Sequence, residues 1–243
     1  MNALALAWRL GPSGVVTKLR KRAWSEQVSI GVACDPERRR SLAPRGLSLR
    51  TEVIDPSELG ELGALLARTS GPEYAFLRAI ERTRRARAGD LVVARTSGGR
   101  LAAVHFVHDE RRRAALERVA PGMYPPMAAD EVLTEGVWCR PELRGQGVVP
   151  AMLDASLGRL AERGVRRALA IIDLANTRSL RAFRRVGFEP SGVVRLDRRR
   201  LGQWRIDFEA LDEKTRARWR AATREEARVA GVHVAAGGRV GPP

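Results

Sequence analysis

Apolar and polar positions along residues 47–211 follow two different periods, which predict strands and helices in a regular order. Alternating or continuous apolar runs predict strands over 46–54, 131–139, 167–175, 188–200 and 202–211, and a hairpin over 90–110. Apolar positions three and four residues apart predict helices over 56–68, 72–89, 149–164 and 176–186. The order β-α-α-β-β-β-α-β-α-β-β predicts an α+β (mixed α/β) fold, with about seven strands in one mixed sheet and about four helices flanking it.

Three local signals refine this outline. The run RALAIIDLA over 167–175 is almost continuously apolar, which is typical of a strand buried on both faces. Gly136 lies inside the strand over 131–139 and predicts a bulge there. Residues 111–129 contain three prolines and are expected to form an irregular insertion.

The two ends of the chain differ from this central domain. Residues 1–46 are rich in arginine and lysine and are expected to form a basic arm. A short helix over 14–24 would dock on the domain or lie on a membrane surface. Residues 212–243 are a second charged extension, whose final AAGGRVGPP is expected to be disordered. The predicted organisation is an arm, a domain over 47–211 and a tail.

The chain is strongly basic, with 44 lysines and arginines against 28 acidic residues and a formal charge of +16. Much arginine beside much alanine is typical of a compositional bias in the coding sequence. The functional alternative is affinity for a polyanion such as nucleic acid, an anionic membrane or a phosphorylated cofactor. Because aromatic residues are few, we expect no more than a weak association of this kind through the basic arm.

Cysteine and histidine usage argues against a metal site. Cys34 and Cys139 are too few for a disulfide framework or a four-sulfur zinc site, and the three histidines lack metal-ligand spacing. The longest apolar runs fall well short of a membrane span. We therefore expect a metal-free protein of the cytoplasm.

The stretch ELRGQGVVP, residues 142–150, stands between a strand and a helix and contains two glycines. Amides at a helix start, the positive end of the helix dipole and Arg144 together indicate an anion site, and a tight turn is the structural alternative. The stretch lacks the Gly-Lys-Ser/Thr ending of a nucleotide-triphosphate loop. It also has Pro150 where a dinucleotide fingerprint needs a third glycine, although Asp173 could mimic that fingerprint's acidic residue.

A second motif, NTRSLRAFRRVGFE over 176–189, follows the next strand. In order and spacing, the two motifs resemble the GNAT acyltransferase superfamily, whose patterns are [QR]-x-x-G-x-[GA] and N-x-x-[SA]-x-x-x-[YF]-x-x-x-G-F. The resemblance covers residues 47–211 and implies a V-shaped splay between the two central parallel strands. Val149 departs from the first pattern, unless that pattern is read from Glu142, and Phe183 stands where many relatives have a tyrosine acid.

The resemblance implies a binding site for acetyl-coenzyme A or another acyl-coenzyme A. The loop amides and Arg144 would hold its pyrophosphate, the strand before the loop would bind pantetheine through its main chain, and the next helix would contact the cofactor arm. The residues it points to are Val137, Trp138, Cys139, Arg144, Gly145, Gln146, Gly147, Val148, Val149, Asn176, Ser179 and Phe183.

The implied activity is transfer of an acetyl group from acetyl-coenzyme A to an amine of a small molecule or protein. Such transfer needs a base, and the candidates are Glu135, Glu131 and Asp173. Partial burial of Glu135 would raise its pKa toward the working range. Tyr124, in the insertion, could supply an acid.

Two matters stay open at this stage. The alternative to an enzyme is a non-catalytic acyl-coenzyme A sensor or a basic binding module on the same fold. The sequence does not identify the acceptor, and it is compatible with a homodimer.

Overall fold

The computed structural model describes residues 24–40, 48–200 and 203–230. Its strands form one sheet in the order β2-β3-β4-β5-β6-β1-β7-β8. The strands are β1 (Trp24–Cys34), β2 (Leu49–Ile54), β3 (Asp90–Thr96), β4 (Leu101–Asp109), β5 (Glu131–Cys139), β6 (Arg167–Asp173), β7 (Glu189–Arg200) and β8 (Gln203–Ala210). The helices are α1 (Glu61–Arg68), α2 (Gly71–Arg85), α3 (Arg113–Val119), α4 (Val148–Glu162), α5 (Thr177–Arg185) and α6 (Glu213–Ala230).

The predicted α+β fold is confirmed, with a mixed sheet that separates layers of helices. Odd positions of β3 such as Leu91 and Val93 belong to the core under α1 and α2. The intervening Val92 and Ala94 belong to the core under α4 and α5. The period of two along each strand thus fills both faces of the sheet, which is why β3 and β4 are apolar almost throughout.

The predicted splay lies between β5 and β6, the one parallel pair among the described strands. Their pairing spans only the first three residues of each strand and ends at Leu133 and Leu169. The remainder of β5 pairs with β4 alone, so its other edge faces a gap. Gly136 has φ +65° and the register shifts between Val104 and Phe106 opposite it, which confirms the predicted bulge.

The expected boundary at residue 46 is wrong, because β1 lies inside the sheet between β6 and β7. Ile30 and Val32 of β1 are fully buried. From Val28 onward the segment alternates large apolar residues with small or polar ones, which is typical of a strand, but basic residues on both sides made that pattern hard to recognise. The helix expected over 14–24 lies outside the described residues except for Trp24, which begins β1.

The expected tail is also wrong at its start, because α6 follows β8 directly and packs on α5. Its Trp219 is only 2% exposed, and Arg181 of α5 donates to the Ala222 carbonyl at 2.9 Å. Burial of this large aromatic ring attaches α6 to the core. The final AAGGRVGPP lies outside the described residues.

Two further elements differ from expectation. The insertion over 111–129 contains helix α3, whose Leu116 is buried against the sheet. Asp55 caps a short 3₁₀ turn over Pro56–Glu58 rather than the helix itself, because its carboxylate accepts from the Ser57 amide, and α1 begins only after Gly60.

The described residues contain neither a helix fit to span a membrane nor a cluster of side chains fit to hold a metal ion. None of the helices there has the length and apolar character that a membrane span requires. No group of three or more histidine, cysteine, aspartate or glutamate side chains in the same part of the chain is placed to hold a metal ion.

Candidate functional site

The loop before α4 presents free backbone amides at a helix start. Gly145 and Gly147 have φ values of +82° and +79°, the left-handed region that favours glycine. Their amides and those of Val148 and Val149 donate to no acceptor in the described part of the chain. These amides stand at the positive end of the α4 dipole, so the loop suits an anion. The Gln146 amide, predicted to join them, instead donates to the Leu143 carbonyl at 3.4 Å.

Arg144 is turned away from these amides and fixes the loop in place. Its Nε donates to the Cys139 carbonyl at 3.1 Å, and its guanidinium meets Glu73 of α2 at 2.6 Å. Glu73 also accepts from the Trp138 indole at 2.9 Å. The Glu73 carboxylate therefore connects the loop to β5. Direct contact between Arg144 and a phosphate stays a prediction.

The free edge of β5 forms one wall of the gap. Val137, Trp138 and Cys139 follow the bulge, and their strand is hydrogen-bonded to β4 on the side away from the gap. Trp138 and Cys139 are buried on opposite faces of the sheet, in two different cores. Burial raises the pKa of the Cys139 thiol to about 11, so this sulfur stays protonated at neutral pH. What this segment offers to the gap is its main chain.

The start of α5 lies beyond the end of β6. The Asn176 side chain accepts from the Ser179 amide at 3.1 Å and thereby caps the helix. Phe183 is 3% exposed and packs edge-on against Phe188, with ring centroids 4.9 Å apart. Phe183 therefore occupies the position of a core residue, and its predicted contact with the cofactor stays a prediction.

Glu135 lies just beyond the last paired residue of β5, where the gap opens, and it is held by two neighbours. The Tyr124 hydroxyl donates a short hydrogen bond to its Oε2. Its Oε1 lies 3.6 Å from Nε2 of His108, and the other nitrogen of that ring is 2.7 Å from the Ala88 carbonyl. Because a carbonyl only accepts, Nδ1 carries a proton, and Nε2 is the nitrogen available to Glu135.

The electrostatics of this cluster differ from the sequence-based expectation. Burial raises the pKa of the Glu135 carboxyl, but His108, Tyr124 and Arg195 oppose it and bring the pKa below its ordinary value. Burial and the neighbouring carboxylate raise the pKa of Tyr124 well above its ordinary value. The expectation of a raised Glu135 pKa is therefore wrong, and the proton stays on the phenol while Glu135 stays ionised.

The other two carboxylates predicted as bases have structural partners. Glu131 stands at the paired end of β5, where it meets Arg167 at 3.0 Å and accepts from the Ala128 amide at 2.9 Å. Asp173 ends β6 and accepts from the Ala175 amide at 2.8 Å and from Gln27 at 3.0 Å. Of the three carboxylates, Glu135 and Asp173 thus lie along the gap. Glu135 is near its start, and Asp173 is at the far end of β6, where it caps the turn that follows its strand.

A buried ion pair holds the segment that carries Tyr124. Arg195 and Asp197 of β7 meet at 2.9 Å, and Arg195 also donates to the Met123 carbonyl at 3.1 Å. Both side chains are at most 10% exposed. The roles of Arg195, Asp197 and His108 were not predicted from the sequence. Charged residues two apart in a strand usually face solvent, and a histidine in an apolar strand is usually a core residue, so no local signal marked them.

A family model described as the Acetyltransferase (GNAT) family matches residues 67–188. This segment contains the loop before α4, the gap, Glu135 and the start of α5. No curated protein matches the chain.

Several solved structures share the fold. A glucosamine N-acetyltransferase region of a fungal GH3 β-N-acetylglucosaminidase is 19% identical, with a TM-score of 0.52 over 76% of this chain and 22% of that one. A functionally unknown conserved protein from Staphylococcus epidermidis is 12% identical, with a TM-score of 0.51 over 81% and 66% of the two chains. A GCN5-related N-acetyltransferase from Sphaerobacter thermophilus is 17% identical, with a TM-score of 0.46 over 79% and 58%. The chain thus spans between about a fifth and two thirds of these proteins. The likeness to the first two shows the fold alone.

Proposed function

Since the chain belongs to the acetyltransferase (GNAT) family, we propose that it transfers an acetyl group from acetyl-coenzyme A to an amine of a small molecule or protein. The observation that supports this most is the continuity of two free surfaces. The unpaired edge of β5 leads into the loop that carries the free amides of Gly145, Gly147, Val148 and Val149. A strand edge suits the amide groups of the pantetheine arm, and helix-start amides suit the pyrophosphate of coenzyme A. The residues present therefore fit this co-substrate.

The proposed chemistry needs position more than covalent help. The β5 edge would hold the thioester in the gap, and a main-chain amide after the bulge would donate to its carbonyl oxygen as negative charge develops there. Holding thioester and amine in line reduces the entropic cost of their encounter. No protein nucleophile is required, which agrees with a Cys139 thiol that stays protonated.

Glu135 is the group best placed to take a proton from the incoming ammonium, directly or through one water. Its lowered pKa keeps it ionised at neutral pH. It lies two residues beyond Leu133, the last residue of β5 that pairs with β6, where the gap begins. A carboxylate of low pKa is a weak base on its own. His108 Nε2 faces it and could share the proton, while the Tyr124 hydroxyl fixes its orientation.

A screen of purified protein against acyl-coenzyme A donors and amine acceptors, read by mass spectrometry, tests this proposal. On an acceptor that turns over, Glu135→Gln should lower kcat by about 10²- to 10⁴-fold while coenzyme A affinity is kept. Glu131→Gln is the matched control, because it removes the same charge from the same strand outside the gap. Equal turnover in both variants would remove Glu135 from the mechanism.

One observation supports the alternative of a non-catalytic acyl-coenzyme A sensor. Phe183 provides no acid for the departing thiolate, and Tyr124 already donates its proton to Glu135. A sensor would bind acyl-coenzyme A tightly and show no turnover with any amine of the panel. Acyl transfer above the background rate would exclude it.

A further inference from the structure

An arginine-lined cavity of about 270 Å³ lies between the end of α5, the start of β7 and one face of α6. Seven residues line it, and Glu189 is the one carboxylate among them. Its arginines are Arg184, Arg216, Arg220 and Arg224. Trp219, which anchors α6 on the core, completes one wall.

Three of these arginines stand four residues apart on α6, so their like charges are one helical turn from each other. Such pairs destabilise a helix unless counter-charges are supplied. Glu213 meets Arg216 at 3.5 Å and Arg220 at 2.9 Å. Arg224 makes no ion pair with any side chain that the structure describes. Among the side chains that the structure describes, arginine charge therefore exceeds carboxylate charge around this cavity.

The walls of the cavity are held in place without a ligand. Arg184 donates to the Thr223 hydroxyl, which in turn donates to the Trp219 carbonyl at 2.8 Å. Arg184 also lies 3.9 Å from Glu189. These contacts join α5, α6 and β7 around the opening, so a ligand would meet guanidinium groups that come from two different helices.

We propose that this cavity binds a small anion with adjacent phosphate groups, of which inorganic pyrophosphate is the simplest. A guanidinium presents donors in a planar fork that matches two oxygens of a phosphate. Arginines on two sides of one cavity match two neighbouring phosphates better than a single tetrahedral anion. The cavity volume lies just below the range of sites for drug-sized ligands, which favours a compact anion over a larger molecule.

This site is separate from the gap and does not rest on the proposed acyl transfer. Pro190 of β7 pairs with Val32 of β1. In the sheet, β1 and β6 stand between β7 and the gap. The cavity and the gap are therefore separated by two strands.

Calorimetric titration of the full chain with inorganic pyrophosphate tests the proposal. The loop before α4 is a second anion site, so the titration is made in a Gly147→Asp background that closes that loop. Adding Arg220→Ala and Arg224→Ala should lower pyrophosphate affinity by about tenfold or more. Adding Arg218→Ala instead should leave it unchanged, because this exposed arginine lies on the other side of the same helix.

Each outcome decides between alternatives. Absence of pyrophosphate binding in the Gly147→Asp background, or equal binding with and without Arg220 and Arg224, would overturn the proposal. Equally tight binding of sulfate would show that adjacent phosphates are not required and would overturn the assignment of the ligand. A single-stranded oligonucleotide that binds through these arginines while pyrophosphate does not would replace the proposal with a nucleic-acid surface. Circular dichroism of each variant shows that it is folded.

Discussion

Replacing Gly147 with aspartate tests the anion site directly. Gly147 is the residue that precedes α4, with φ +79°. An L-residue in this region costs about 1–2 kcal/mol. An aspartate that replaces a glycine at a helix N-cap recovers only about a few tenths of a kcal/mol. The backbone penalty is the larger effect, so we expect Gly147→Asp to fold with a stability about 1–2 kcal/mol below that of the parent protein.

Ligand binding should change far more than stability. The new carboxylate would occupy the free amides that a phosphate needs and would repel its charge. Hydrogen bonds to a charged group are worth about 1.5–3 kcal/mol each. Loss of two of them amounts to about 3–6 kcal/mol, which is about a 10²- to 10⁴-fold loss of coenzyme A affinity.

Gly147→Ala is the matched control for this experiment. In the described part of the chain no atom lies within 4 Å of a Cβ built at residue 147, so alanine meets no steric obstacle. It carries the same backbone penalty as aspartate without the charge, and its coenzyme A affinity should fall by less than about tenfold. Isothermal titration with coenzyme A measures both variants. Equal affinities in the two folded variants would refute the anion site at this loop.

Three further predictions concern the fold. Deletion of residues 1–40 should leave an unfolded chain by circular dichroism, because it removes β1 from the sheet, whereas deletion of residues 1–22 should leave a cooperative thermal transition. Glu81→Gln should cost about 1–3 kcal/mol near neutral pH, since a hydrogen bond from an arginine lowers the pKa of this carboxyl to about 2. That difference in unfolding free energy should shrink as pH falls from about 4.5 toward 2, because a depressed pKa stabilises the fold only while the group is ionised. Phe183→Leu should lower stability by about 1–2 kcal/mol through lost packing on Phe188 and leave turnover nearly unchanged; a large loss of turnover at intact fold would contradict this.

The sequence predicted those parts of the molecule that depend on local order. The bulge at Gly136 and the capping by Asn176 follow from residues that act within a few positions of themselves, whereas the splay after the parallel pairing was implied by the resemblance to the family. Strand β1 was not predicted to join the sheet, because basic residues surround it and its partners β6 and β7 are far away in the sequence.

Within the candidate site, the loop glycines were predictable and the surroundings of Glu135 were not. Gly145 and Gly147 adopt a backbone conformation that favours glycine, so the residue type itself indicates the turn before α4. The pKa of Glu135 depends on the ring of His108 and the hydroxyl of Tyr124, which come from a different strand and from the insertion. Burial alone predicted the wrong direction, since the tertiary partners of a buried carboxylate decide its charge.

The position of β1 also determines when the sheet can be completed during synthesis. The Gln27 side chain of β1 donates a hydrogen bond to Asp173 of β6, which lies 146 residues later in the chain. At about 5–20 residues per second, the ribosome needs about 7–30 s to deliver that partner. During this time Ile30 and Val32 have none of their final neighbours from β6, and the strand has two unpaired edges that other chains can join. We therefore expect assembly around β1 to be the slow stage of folding, and the nascent chain to be most prone to aggregation before β6 emerges.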